Sequence, residues 1–264
     1  MLVSMADTTR TVGTAAHLRL LGVPRYENGQ SLPVRLGHKQ LVLLTRLLLE
    51  KRQMTRESMI AFLWPESDEV RARGSLRQAL YVIRELLGED SLVANRHTIA
   101  VRVSTPTDLT RFIHAAHAGQ WWDAARLYRG PLLDGVHIKD ATDADLWLEL
   151  ERRRMARLFE TAAVAALRGP RGPYDPRECV PIARQLRDTA PRCVTYWQYL
   201  IDALADAGAP DDCRIEYAAL SARIDTGQID DAKSAAELLN VGQKALSSLL
   251  DSSRSNQARF VGRH

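Results

Sequence analysis

A chain of 264 residues is long enough for two ordinary domains, each able to bury its own core. With 45% apolar and 26% charged residues it has the composition of globular proteins, which excludes an intrinsically disordered chain. The longest apolar run, 41–49, is broken by Thr45 and Arg46 and is too short for a membrane span, and the polar start at 1–14 lacks a secretory pattern.

A cytoplasmic protein without membrane contact is therefore expected. The net charge of +4 is unevenly divided: residues 1–104 carry 15 Lys and Arg against 10 Asp and Glu, and the remaining 160 carry 21 against 22. A basic head beside a neutral body is the electrostatic outline of a phosphate-binding module joined to a protein-facing one, although +5 over a hundred residues also fits ordinary surface variation. Cys179, Cys193 and Cys213 are odd in number and have no CxxC spacing, which points to reduced, packed thiols and to neither a disulfide framework nor a zinc site.

Along the chain, 17–36 alternates apolar and polar residues around Val23-Pro24 and Asn28-Gly29 and reads as a small sheet. From Gly37 the apolar spacing changes to three and four, predicting a helix to about Lys51. Thr55 caps a second helix over 56–64, which Pro65 ends. After the acidic loop 66–69 comes a third helix over 70–87, closed by Gly88. Residues 91–93 and 98–103 flank Asn95-Arg96-His97 as a hairpin with a basic tip.

Sheet, three helices and hairpin within ninety residues spell a winged helix-turn-helix over 15–104. A linker at 104–107 follows. Beyond it, helices are expected at 108–118, 120–128, 143–167, 177–189, 194–207, 211–224 and 231–248, separated by short turns such as Ala207-Gly208-Ala209-Pro210. The fold class is thus mainly α: an N-terminal winged helix followed, over 107–250, by an all-α tetratricopeptide-like series of helical pairs.

Three stretches resemble one known family. AFLWPESDEVRARGSLRQALYVIRELLG at 61–88 has Leu63-Trp64-Pro65 and the 75–80 segment in that family's positions. GQWWDAARLYRGPLLDGV at 119–136 resembles the hallmark of the bacterial transcriptional activator domain. The helical series 146–167 and 177–223, with Trp147 and the charge run 149–154, completes the match. On these residues, roughly 17–225, the chain resembles the SARP regulators, the Streptomyces antibiotic regulatory proteins and their relatives.

The resemblance implies a sequence-specific activator that binds repeated half-sites in double-stranded promoter DNA and recruits RNA polymerase, with the helical domain presenting surfaces for polymerase or for a homodimer on DNA. Two positions depart from the family pattern. Gly74 stands where Asn or Lys is frequent, and the wing 95–101 lacks a Gly-Tyr pair, so base preference does not transfer.

On the third helix, taken at 100° per residue, Leu76, Ala79, Leu80, Ile83 and Leu87 form the packing face. Arg71, Gly74, Gln78, Tyr81 and Glu85 face outward with Arg77 at the edge. A helix in the major groove reads with its N-terminal part, so Arg71, Arg77 and Gln78 are the candidates for base edges, Arg for guanine and Gln for adenine. Arg73 and Arg84 on the flank and Arg96, His97 and Arg102 on the wing are the candidates for phosphates. Any single Arg also fits a solvated helix face; four within 71–84 favour DNA.

Trp64 reads as core, and Trp121 and Trp122 as packing beside Ala124-Ala125. His38, His114 and His117 read as surface or satisfied helix residues. No phosphate-loop, nucleophile-elbow or metal-binding motif is present, so an enzyme, a cofactor and a metal are not expected.

Residues 251–264 read either as a frayed tail or as a polar linker running into a segment, 258–264, that resembles the opening of the nucleotide-binding module of signalling ATPases of the STAND type. Two further readings stand beside the DNA-binding activator: a protein-docking module, since winged helices can serve as docking domains and a helical-repeat solenoid as a peptide-binding scaffold, and the DNA-recognition part of a larger nucleotide-switched regulator.

Overall fold

The computed structural model describes residues 17–27, 36–50, 52–102, 107–169, 175–240 and 242. The expected linker at 104–106, the end of the last expected helix and the segment 251–264 lie outside them. The chain divides into two compact units, Met1–Arg157 and Leu158–His264.

The first unit opens with β1 (His17–Arg19) paired antiparallel to β2 (Arg25–Glu27). Then come α1 (His38–Glu50), β3 (Met54–Thr55), α2 (Arg56–Leu63) and α3 (Glu69–Leu87), a 3-10 turn at Glu89–Ser91, and the hairpin β4 (Leu92–Ala94) and β5 (Thr98–Val101). The chemistry at each helix end explains its boundary. Thr55 accepts the Ser58 N–H to start α2, Asp68 accepts the Arg71 N–H to start α3, and Gly88 ends α3 in the positive-φ region at 95°.

Three helices and a hairpin make the winged helix expected from the sequence. The core joins Leu41, Val42, Leu44, Leu47 and Leu48 of α1 to Met59 and Leu63 of α2 and to Ala72, Leu76, Ala79, Leu80, Ile83 and Leu86 of α3. Each fully buried Leu or Ile contributes roughly 1.5–3 kcal/mol. Leu86, rather than Leu87, is the last buried residue of α3, because the packing face drifts across the last turn. β3 was not expected. Its two residues pair with β5 in the order β3-β5-β4, which joins the start of α2 to the wing.

The same unit continues through α4 (Asp108–His117), α5 (Trp121–Leu127) and the N-terminal part of α6 (Thr142–Arg168). The compact division falls inside α6, some fifty residues beyond the 104–107 linker. The physical cause is a strap between the N-terminal strands and the helices that follow the winged helix. The Asp108 carboxylate accepts the N–H groups of Leu20 at 2.7 Å, Leu21 at 3.0 Å and Leu109 at 2.7 Å. Burial pushes this carboxyl up, and the three N–H donors act in the opposite sense.

Residues 20–22 also exchange backbone bonds with 131–134. Gly22 N–H donates to the Pro131 carbonyl, Leu133 N–H to that of Leu20 and Asp134 N–H to that of Gly22, at 2.8–3.0 Å. The two backbones meet where Gly22 faces Gly130: a Cβ on Gly130, which sits at φ 154°, would lie 3.1 Å from the Gly22 Cα. Leu133 takes a left-handed φ of 50°, a strained geometry for a side chain that is fully buried.

Arg152 of α6 holds that strained loop. Its guanidinium donates to the carbonyls of Leu132 at 2.9 Å, Leu133 at 2.6 Å and Val136 at 2.8 Å, and pairs with Glu149. Nearby on the same unit, the Arg46 guanidinium of α1 lies 3.6 Å from the Phe62 ring centre and 5.6 Å from that of Trp147, and the two rings meet edge to face. Its Nε and Nη1 find no acceptor among the described residues, so the aromatic faces carry the cation.

The second unit contains the rest of α6, then α7 (Pro176–Thr189), α8 (Val194–Asp206), α9 (Pro210–Asp225) and a helical stretch at 232–240. Successive helices pair through short turns, the all-α hairpin series expected. Its core packs Ala183, Leu200, Ile201, Leu204, Cys213 and Tyr217 in one cluster and Trp197, Leu220, Ile229 and Ala235 in another. Arg187 pairs with the buried Glu216 at 2.5 Å and lies over the Trp197 ring, whose Nε1–H donates to the Pro191 carbonyl. Cys213 is buried, Cys179 and Cys193 are half-buried, and all three are free thiols.

Candidate nucleic-acid interface

Helix α3 is the third helix of the winged helix, and its outward side is open. Arg71, Arg73, Gly74, Arg77, Gln78, Tyr81 and Glu85 are exposed, and Arg84 is half-buried. Asp68 is the N-cap of α3 and its carboxylate also lies 3.6 Å from Arg71 Nε, so one acid both starts the helix and holds the first arginine. Arg73 pairs with Glu69 one turn earlier. Both pairs are solvent-exposed, of the kind that contributes under about 1 kcal/mol, so either arginine exchanges its carboxylate for another anion at little expense.

Arg77 makes no ion pair among the described residues. Tyr81 donates its hydroxyl to Glu85 at 2.5 Å, and that bond raises the phenol above its ordinary value. The hydroxyl of Tyr81 is thereby engaged by an acid one turn further along the same face.

Gln78 opens into a cleft of about 600 Å³ between α3 and the first turn of α1, where Gly74 and Ser75 face Gly37–Gln40 and Trp64. Trp64 is half-buried at the cleft wall and not a core residue, because it ends α2 at Pro65 and its ring lies 5.8 Å beneath the Lys39 ammonium. Gln40 Oε1 accepts the Gly37 N–H at 2.8 Å and closes this turn of α1. His38 Nδ1 lies 3.0 Å from the His137 carbonyl oxygen.

The wing is fixed by Asn95. Its Oδ1 accepts the N–H groups of His97 and Thr98, each at 2.8 Å, and its own N–H donates to the Thr98 carbonyl. Arg56, the first residue of α2, locks the turn from outside: its Nε donates to the Asn95 carbonyl at 2.7 Å and its N–H to that of His97. Arg96 and His97 are left exposed at the tip, and Arg102 at the base lies 3.8 Å from Asp90.

Sequence reasoning missed Lys39, which shows no local signal, and Arg56, whose partner lies 39 residues away. Trp121 and Trp122 lie at the surface or half-buried, while Ala124 and Ala125 beside them are the buried residues of α5. His114 and His117 are exposed on α4. Among the described residues no cluster of three His, Cys, Asp or Glu is placed to hold a metal ion, and no helix is long and apolar enough to cross a membrane.

No protein-family model matches the chain, and no curated protein matches it either. Solved structures similar to it include Mycobacterium tuberculosis EmbR in complex with a low-affinity phosphopeptide. The two share 20% sequence identity at a TM-score of 0.47, over 92% of this chain and 71% of that one.

Proposed function

We propose that this protein is a transcription regulator that binds double-stranded promoter DNA through its winged helix. The observation that carries this reading is the outward face of α3, where Arg71, Arg77 and Gln78 stand exposed beside a wing locked to α2. With α3 in the major groove, Arg71 and Arg77 pair with guanine O6 and N7 and Gln78 with adenine N6 and N7. Arg73, Arg84, Arg96, His97 and Arg102 bind phosphates and set the register. The excess of positive over negative charge, which lies wholly in residues 1–104, agrees with this division of labour.

The helical region from 107 onward is the protein-facing part in this proposal, with RNA polymerase or a second copy of the chain as partner and activation as the outcome. Leu146 and Leu150, one turn apart on α6 and 59% and 55% exposed, support such a role. They also support the second reading, a docking module without DNA activity.

Salt separates the two readings. Sequencing of genomic fragments bound by the protein, repeated with Arg71, Arg77 and Gln78 all changed to Ala, is expected to enrich spaced repeats with the wild type and none with the variant. Affinity for the enriched duplex is expected to fall steeply between 50 and 200 mM salt, by about a thousandfold if some six phosphates are neutralised. No enriched sequence, or an affinity indifferent to salt, overturns the DNA reading in favour of docking.

A further inference from the structure

Val70 is the most exposed large apolar residue among those described, at 83%, and it is the second residue of α3. Nothing inside the fold accounts for it. At that exposure little of it is buried against the described residues, and a β-branched side chain is among the weaker helix formers, so neither burial nor propensity selects Val there. Its position does carry information. Val70, Gly74, Arg77 and Tyr81 follow at spacings of four, three and four, which is one stripe of an α-helix, and this stripe lies opposite the buried Ala72, Leu76, Ala79 and Ile83.

The stripe is an apolar knob followed by a gap. A Cβ built on Gly74 meets nothing within 4 Å, so the helix surface one turn beyond Val70 is bare backbone open to a close partner. Arg71 and Arg73 flank the knob on either side and Arg77 lies beyond the gap. The acids nearest Val70, Asp68 and Glu69, are already engaged with Arg71 and Arg73. A partner surface that is anionic at its margins and offers a small apolar group at its floor is complementary to this arrangement. The floor of the major groove offers one such group, the 5-methyl of thymine.

We infer that Val70 is a specificity-determining residue that packs on the 5-methyl group of a thymine in the major groove. This assignment rests on α3 being the reading helix. Val70 and Arg77 are seven residues apart, about 10 Å along the helix, which spans about three base-pair steps. The thymine is therefore expected about three steps from the guanine read by Arg77.

The test uses the full chain and a duplex selected from random sequence by the wild-type protein. Each thymine of that duplex is replaced singly by deoxyuridine, which differs only in lacking the 5-methyl group, and binding is measured for wild type and Val70→Ala. One replacement is expected to weaken wild-type binding about fourfold, the worth of one buried methyl group. The same replacement is expected to change binding by Val70→Ala less than twofold, with its thermal unfolding as in the wild type. If no thymine is sensitive, or Val70→Ala keeps the sensitivity, the assignment falls while the DNA reading stands. If the wild type selects no sequence at all, the DNA reading falls and this assignment with it.

Discussion

Asp108 and Leu20 are 88 residues apart in sequence and 2.7 Å apart in space, the carboxylate accepting the backbone N–H. One side chain thereby completes the hydrogen bonding of an N-terminal strand end and accepts the Leu109 N–H in the first turn of α4. Asp108→Ala leaves the N–H groups of Leu20, Leu21 and Leu109 buried without their acceptor. A loss of about 3 kcal/mol is expected, measured by urea unfolding. Asp108→Asn keeps the shape but turns an amide donor toward N–H donors and is expected to recover less than half of that loss.

Arg152 makes three bonds to carbonyls of the 132–136 loop, and Leu133 within that loop is strained. Arg152→Met keeps most of the packing volume and removes every donor. Unfolding by urea is expected to show a loss of about 3 kcal/mol, and hydrogen exchange at Leu133 and Val136 to accelerate. Arg152→Lys supplies one point donor in place of a planar fork and is expected to lie closer to Met than to the wild type.

Gly74 stands exposed in the middle of α3 with open space around its Cα. Replacing it by Ala removes the entropy that Gly loses in a helix and is expected to raise stability by up to about 1 kcal/mol. The proposed DNA contact predicts the opposite effect on binding: Gly74→Ala melts higher and holds the selected duplex at least threefold more weakly. A variant that is both more stable and equally tight would show that nothing approaches this part of the helix.

Burial raises the Cys213 thiol above its ordinary value, so the unfolded chain releases this proton at lower pH than the folded one does. The folded state binds more protons in that interval. Stability is therefore expected to fall as pH rises from the ordinary thiol range through the folded-state value, and to be insensitive to this group below it. Cys213→Ala is expected to flatten that alkaline slope. A thiol reagent at pH 8 is expected to modify Cys179 and Cys193 before Cys213, which reacts at the rate of unfolding.

Much of the winged helix was legible because its signals are local. Thr55 and Gly88 mark helix ends within a few residues of where they act, and the three-four spacing from Leu41 needs only one turn to show itself. What escaped was non-local. β3 is two residues long and is defined only by its pairing with β5, 44 residues later, and the contacts of 20–22 with 131–134 leave no trace in periodicity.

The outward face of α3 could be drawn from the 100° rule, and the structure adds the pairs Arg71–Asp68 and Arg73–Glu69. Their three- and four-residue spacing was readable but lost among the many charges around it. Exposure of Val70 could not be read in advance, since an apolar residue at the start of a helix is as often a packing residue.

The strap between 20–22 and the residues around 108 and 131–134 bears on how such proteins recombine. A winged helix cut away at 104 would carry three N–H groups, those of Leu20, Leu21 and Gly22, without their acceptors and an apolar Leu21 with no cover. A gene fusion that grafts only the first hundred residues onto another body would inherit an unfinished surface. The segment that can be exchanged as a working cassette is the whole first unit, through Arg157, and hybrids joined within α6 are the ones expected to stay folded.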